Sequence, residues 1–195
     1  MNENQLLELF KGKGALLEGH FVLSSGLHSD RYFQSALLLQ YPEVAEQLGK
    51  AISDLFPEAV DLVVSPALGG LIIGQEVGRA KGVRAIFTEK NEEGKPVLRR
   101  LFEIKKGEKV LVVEDVITTG LSTGEVMELV DAMGGTLVGA GSLVNRMASK
   151  GNQKLLRWDV PIRSLLKLQV QSWDKSGCSL CKEGHPAVKP GSRKI

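Results

Sequence analysis

Five short runs, DLVVS (61–65), VRAIF (83–87), KVLVVEDV (109–116), TLVGAGSLVNR (136–146) and IRSLLKLQV (162–170), are apolar at consecutive rather than alternate positions. A strand with that pattern buries both faces, which only a sheet covered on both sides allows. Between them lie GGLIIGQEVGRAKG (69–82) and STGEVMELVDAMGG (122–135), apolar at helical spacing and closed by glycine. A third helix is expected over YPEVAEQLGKAISDLF (41–56), where Pro42 falls in the first turn, and a short one over 5–10. Strands that alternate with helices in this way predict an α/β fold, a parallel sheet flanked by helices.

With 195 residues, 43% hydrophobic and 25% charged, the chain has enough apolar material for one domain over 1–195. Its expected parts are an N-terminal hood (1–40), an α/β core (41–170) and a polar, loosely ordered tail (172–195). A net charge of +2 supplies no field for gripping a nucleic-acid backbone or a membrane surface. No run approaches the roughly 20 apolar residues of a membrane span, and residues 1–19 lack the pattern of an export signal. A cytoplasmic protein with no nucleic-acid or membrane partner is the expectation.

The chemistry concentrates in VLVVEDVITTGLSTGE (110–125). In open α/β sheets ligands bind beyond the carboxyl ends of the strands, and this stretch occupies such an end. Ser122 and Glu125 have capping-box spacing, so a helix is expected to start at Ser122 with the preceding loop presenting N–H donors. Those donors, the helix dipole and the hydroxyls of Thr118, Thr119, Ser122 and Thr123 favour a phosphate. Gly120 lets the backbone approach it. Glu114 and Asp115 would repel an anion unless they meet hydroxyl groups or a cation, so ribose hydroxyls and a hydrated Mg²⁺ are their expected partners. A phosphate, a diol and a divalent ion side by side describe a phosphorylated sugar.

VLVVEDVITTGLS resembles the signature of the type I phosphoribosyltransferases. Within that family FVLSSGLHSDRYF (21–33), VVSPALGGLIIG (63–74) and GSLVNR (141–146) resemble the orotate phosphoribosyltransferases, in the family's order. The resemblance implies that Glu114, Asp115, Val116, Ile117, Thr118, Thr119, Gly120, Leu121 and Ser122 hold the phosphoribosyl pyrophosphate. It implies that Thr118, Arg146, Tyr32 and Phe33 meet orotate. Arg146 also suits that role chemically, since a guanidinium clamps a carboxylate with two parallel bonds. From sequence alone it can equally be a surface arginine, and the two aromatics plain core. Lys90, Lys95 and Asp115 are the candidate catalytic residues.

Four positions depart from the family pattern. Ser24 stands where a lysine is common, Leu68 and Gly69 replace a Tyr-Lys pair, and Glu89 replaces an arginine beside Lys90. The polar segment 88–107 is the expected mobile lid, with Lys90, Lys95, Arg99 and Arg100 as its cations. The implied reaction transfers the 5-phosphoribosyl group from phosphoribosyl pyrophosphate to orotate, giving orotidine 5'-monophosphate and pyrophosphate. Mg²⁺ and lid cations would stabilise the leaving group, and no protein nucleophile is required. The resemblance also implies a homodimer in which the lid reaches the neighbouring site. A purine-base phosphoribosyltransferase and a non-catalytic sensor of phosphoribosyl pyrophosphate are the alternatives.

The only cysteines, Cys178 and Cys181, lie in CSLC near the C-terminus with His185 following. Three candidate ligands fall short of the four a structural zinc site takes, so free or reversibly oxidised thiols are expected beside a metal site.

Overall fold

The computed structural model describes residues 3–23, 26–146, 155, 157–168 and 172–190. Ser24 lies outside them. The hood comprises α1 (Glu3–Gly12), β1 (Leu16–Val22), β2 (His28–Phe33) and α2 (Ala36–Leu39). The core runs α3 (Pro42–Asp54), β3 (Leu62–Pro66), α4 (Gly70–Lys81), β4 (Arg84–Lys90), β5 (Pro96–Val97), β6 (Lys109–Ile117), α5 (Leu121–Ala132), β7 (Thr136–Asn145) and β8 (Ile162–Lys167). The C-terminal segment adds β9 (Ser172–Trp173) and α6 (Ser179–Lys182).

The core sheet has the order β5-β4-β3-β6-β7-β8, with β5 antiparallel at the edge and every other neighbouring pair parallel. The apolar runs are apolar throughout because both faces are covered. Val63 of β3 and Leu111 and Val113 of β6 turn toward Leu48 and Ile52 of α3 and Ile73 and Val77 of α4. Their neighbours Leu62, Val64, Val110 and Val112 turn the other way, toward Val126, Met127 and Val130 of α5. Each of these strand side chains is fully buried, which contributes roughly 1.5–3 kcal/mol apiece relative to exposure. Among the described residues no helix is long and apolar enough to cross a membrane.

Chain order reverses between β3 and β6. The chain leaves β3 toward β4 on one side and returns to β6 on the other, which opens a crevice beyond the carboxyl ends of this central pair. The hood stands beside that end as a three-stranded antiparallel sheet, β1-β2-β9.

Two segments are more ordered than their polarity suggests. Residues 88–90 continue β4 and pair through Glu89 and Lys90 with β5, so the expected lid begins as a hairpin. Its second half is anchored by buried Ile104 and by Phe102, which packs edge-on against Phe87 at 5.2 Å. The tail, expected to be loose, pairs with the hood: Trp173 lies opposite His28 and Val188 bridges to Phe21.

Candidate active site at the β3–β6 crevice

The strand β6 ends on its two carboxylates, and the backbone fixes their directions. Val116 pairs with Val144 of β7, and the Ile117 carbonyl accepts the N–H of Arg146 at 2.8 Å, so the ends of β6 and β7 are locked side by side. Asp115 accepts the Val116 N–H at 2.8 Å, and Glu114 accepts the Asp115 N–H at 3.2 Å. These local bonds hold the carboxylates at the mouth of the crevice.

The helix after them is capped two residues earlier than the capping box implies. α5 begins at Leu121, with Gly120 as its N-cap at φ 76°, ψ 5° and no side-chain cap. Ser122 is therefore in the first helical turn rather than at the cap, and Thr119 instead accepts the Leu121 N–H at 3.3 Å. The left-handed backbone at Gly120 explains the shift. It ends the strand in a turn that a side-chained residue enters only at a cost of about 1–2 kcal/mol, and it leaves the Ser122 hydroxyl exposed at the crevice.

From across the crevice, Ala67–Gly70 closes against Asp115. A Cβ on Gly69 would stand 2.7 Å from Asp115 Oδ1, so the carboxylate occupies the space a side chain at position 69 would take. That relates the departure at Gly69 to its surroundings: a lysine there could enter only if Asp115 moved.

The resulting cleft, about 240 Å³, is lined by Leu23, Tyr32, Phe33 and Gln34 from the hood side, by Glu114, Asp115, Val116, Thr118 and Ser122 from the β6–α5 connection, and by Arg146. The expected residues thus gather from three separate parts of the chain. Ile117 does not join them, because its fully buried side chain packs under α5. Thr119 and Leu121 are exposed on the loop but do not line the cleft. Lys90 and Lys95 also lie off its described lining. They differ, however: Lys90 at the end of β4 acts on Glu114 electrostatically, whereas Lys95 sits on the hairpin, 3.6 Å from Glu93. Arg100, another of the lid cations, is held 2.9 Å from Glu89 and stacks over Phe87.

Electrostatics divide the cleft in two. Burial pushes the Glu114 carboxyl well above the usual range, the Asp115 carboxylate pushes it further, and Lys90 opposes them. At the other end, Arg146 is 9% exposed and has no carboxylate within ion-pair distance among the described residues. Its Nη2 donates to Ser29 Oγ at 3.2 Å and to the Arg31 carbonyl at 3.4 Å, and its guanidinium lies 5.8 Å from the centre of the Phe33 ring. The buried Nε has no hydrogen-bond partner among the described residues. Desolvation lowers the Arg146 pKa, and Asp30 and Tyr32 partly restore it. Burial raises the Tyr32 pKa, with Asp115 adding to the rise and Arg146 opposing it. A buried guanidinium without a counter-ion is costly by several kcal/mol, and an anionic ligand in this cleft would relieve that cost.

A separate group of potential metal ligands, His20 and His28 of the hood with Cys178 and Cys181 of the C-terminal segment, lies outside the cleft. Sequence reading found the two cysteines and missed the two histidines, which stand some 150 positions away in the chain. The His185 imidazole, the expected third ligand, turns toward Glu183 at 3.4 Å.

The phosphoribosyl transferase domain family matches residues 35–179. The orotate phosphoribosyltransferases of Desulforamulus reducens and Pelotomaculum thermopropionicum are 47% and 50% identical to this chain over 196 aligned residues, covering 100% of each protein. The crystal structure of orotate phosphoribosyltransferase from Aeropyrum pernix superposes with a TM-score of 0.71 at 29% identity, over 84% of this chain and 94% of that one. The match over almost the whole length, together with the crevice at the β3–β6 switch point, shows that the chain belongs to the orotate phosphoribosyltransferases of the phosphoribosyl transferase domain family.

Proposed function

We propose that the protein transfers the 5-phosphoribosyl group of phosphoribosyl pyrophosphate to orotate, forming orotidine 5'-monophosphate and pyrophosphate in pyrimidine biosynthesis. The observation that carries the reading is Arg146, a buried guanidinium with no ion-paired carboxylate among the described residues, opening on the cleft that the β6–α5 loop also lines. Orotate brings a carboxylate to that end, and a purine base does not.

In this reading the 5-phosphate rests on the N–H groups and hydroxyls of Thr118–Ser122, where a turn and a helix N-terminus favour an anion. Glu114 and Asp115 take the ribose hydroxyls, and burial raises the affinity of Glu114 for a proton. Arg146 and Phe33 orient orotate, and the Tyr32 hydroxyl stands at the same wall. Breaking the anomeric C–O bond builds positive charge on the sugar and negative charge on the departing pyrophosphate. The carboxylates face the first charge and Lys90 lies toward them; the role given to Lys95 depends on movement of its hairpin.

Mg²⁺ fits this chemistry through the substrate. Among the described residues the cleft has two adjacent carboxylates and no set of three protein ligands, so the ion would be held chiefly by pyrophosphate and ribose oxygens, with Asp115 and Glu114 beyond them. It would supply charge neutralisation of the leaving group. Lid closure over 88–107 is supported by its backbone: Arg100 and Leu101 both hold left-handed φ, 58° and 59°, which side-chained residues keep at a cost, and the Leu101 side chain is fully exposed. Exposed Leu68, Ile72 and Leu101 give a second copy of the chain an apolar surface to cover, in keeping with a homodimer, and a cytoplasmic location fits the substrates.

The test is pyrophosphate release by the purified protein with Mg²⁺, phosphoribosyl pyrophosphate and one base at a time. Turnover with orotate alone is expected. Turnover with hypoxanthine, guanine or adenine in its place would assign a purine enzyme, and phosphoribosyl pyrophosphate binding without turnover of any base would assign a sensor.

A further inference from the structure

The hood holds four side chains that the transfer reaction does not use. His20 on β1, His28 on β2, and Cys178 and Cys181 around the start of α6 place one ligand atom each within 4.8 Å of the others. His20 Nε2 lies 2.7 Å from His28 Nδ1, 3.5 Å from Cys178 Sγ and 3.7 Å from Cys181 Sγ, and His28 Nδ1 lies 3.3 Å from Cys181 Sγ. A tetrahedral zinc ion holds two nitrogens about 3.4 Å apart, and a nitrogen and a sulfur about 3.5 Å apart. These three nitrogen–sulfur separations already lie close to that value, and the two imidazoles need to part by about 0.7 Å.

The chemistry of the surroundings favours a metal over four unrelated polar groups. His20, His28 and Cys178 are buried, and both cysteines are free thiols. His20 Nδ1 lies 2.8 Å from the carbonyl oxygen of His185. A carbonyl can only accept, so Nδ1 carries the proton and Nε2 turns a bare lone pair to the centre of the cluster. A backbone carbonyl on the outer nitrogen is the usual way a metal-binding imidazole is oriented. An ordinary pair of hydrogen-bonded histidines would account for the 2.7 Å contact, but not for two thiols converging on the same point from the other end of the chain.

We propose that His20, His28, Cys178 and Cys181 bind one structural zinc ion that clamps the C-terminal segment onto the hood. Two thiolates and two imidazoles form a closed tetrahedral set with no position left for substrate, and that donor set selects zinc among the common divalent ions. Binding releases the two thiol protons to solvent. The clamp closes a ring of sequence from β1 to α6, and its His28 adjoins Ser29, whose hydroxyl accepts from Arg146. The ion therefore steadies one wall of the base pocket without touching substrate.

The experiment measures metal content of the purified full-length protein by mass spectrometry, together with the absorption spectrum after exchange for Co²⁺. One zinc per chain is expected, with a thiolate-to-cobalt charge-transfer band and the strong visible bands of tetrahedral Co²⁺. Cys178→Ser combined with Cys181→Ser should lose the zinc and both spectral features. His185→Ala should keep them, because His185 contributes only its backbone carbonyl; this variant keeps the test decisive if the double variant does not fold. A protein that stays zinc-free after refolding with Zn²⁺, a Cys178–Cys181 disulfide in material purified without oxidant, or full zinc retention by the double variant would overturn the proposal.

Discussion

The β6–α5 connection and the hood face the same cleft but are built in opposite ways. The first is a single run of nine residues, Glu114–Ser122, whose turn, helix start and carboxylates are fixed by bonds between near neighbours. The second is assembled from the two ends of the chain, with β2 flanked by β1 and by β9 from the C-terminal segment. Local construction leaves little room for variation around a phosphate, whereas the assembled wall can change its contacts one strand at a time.

Substitutions in the two regions should therefore produce different kinetic signatures. The largest effect within the loop is expected from Asp115→Asn, which leaves the shape and removes the charge at the Gly69 turn that the proposed reaction sets against the ribose. Loss of a charged hydrogen bond of about 1.5–3 kcal/mol predicts a fall of about 10- to 150-fold in kcat/KM for phosphoribosyl pyrophosphate, with the orotate KM little changed. Steady-state kinetics with each substrate varied in turn would show it, and an equal fall for both substrates would join the two regions into one.

Gly120→Ala should act through the backbone. Its φ of 76° costs a side-chained residue about 1–2 kcal/mol, so a lower midpoint of denaturant unfolding and weaker binding of phosphoribosyl pyrophosphate are expected together. A variant that is destabilised but binds normally would mean that the turn is structural only.

Glu114→Gln sharpens the comparison through pH. The folded protein raises the Glu114 pKa, by burial first and by Asp115 second, so protonation favours the native state. That contribution is complete below the unfolded carboxyl value of about 4.3 and is lost as pH rises through the elevated folded value. Glutamine does not titrate. The variant should thus gain in thermal stability over the parent across that window, level off above it, and bind phosphoribosyl pyrophosphate about tenfold more weakly through loss of one charged hydrogen bond. A constant stability difference at every pH would remove Glu114 from the buried position given to it.

Sequence legibility follows the same division. The apolar runs 61–65, 83–87 and 109–116 predicted the sheet because consecutive burial has one structural solution, and the strands Leu62–Pro66, Arg84–Lys90 and Lys109–Ile117 fall on them. The acidic pair and the turn after it were visible because their partners are neighbours in the chain. The helix cap was misplaced by two residues: the Ser122–Glu125 spacing announces a capping box, but the left-handed turn at Gly120 takes the cap position. Nothing local marks residues 88–90 as a strand, since the pairing that makes them one comes from Pro96 and Val97. The histidines beside Cys178 and Cys181 were invisible for the same reason in stronger form, being joined to them by the pairing of β2 with β9 and of β1 with Val188, contacts between opposite ends of the chain.

The central claim is that one buried guanidinium reads the base while the loop reads the sugar phosphate, and Arg146→Ala tests it most directly. The orotate KM should rise by about two orders of magnitude, as expected for loss of a buried, charge-assisted pair, while the KM for phosphoribosyl pyrophosphate stays within about twofold of the parent. Equal rises in both constants, or an unchanged orotate KM, would contradict the account.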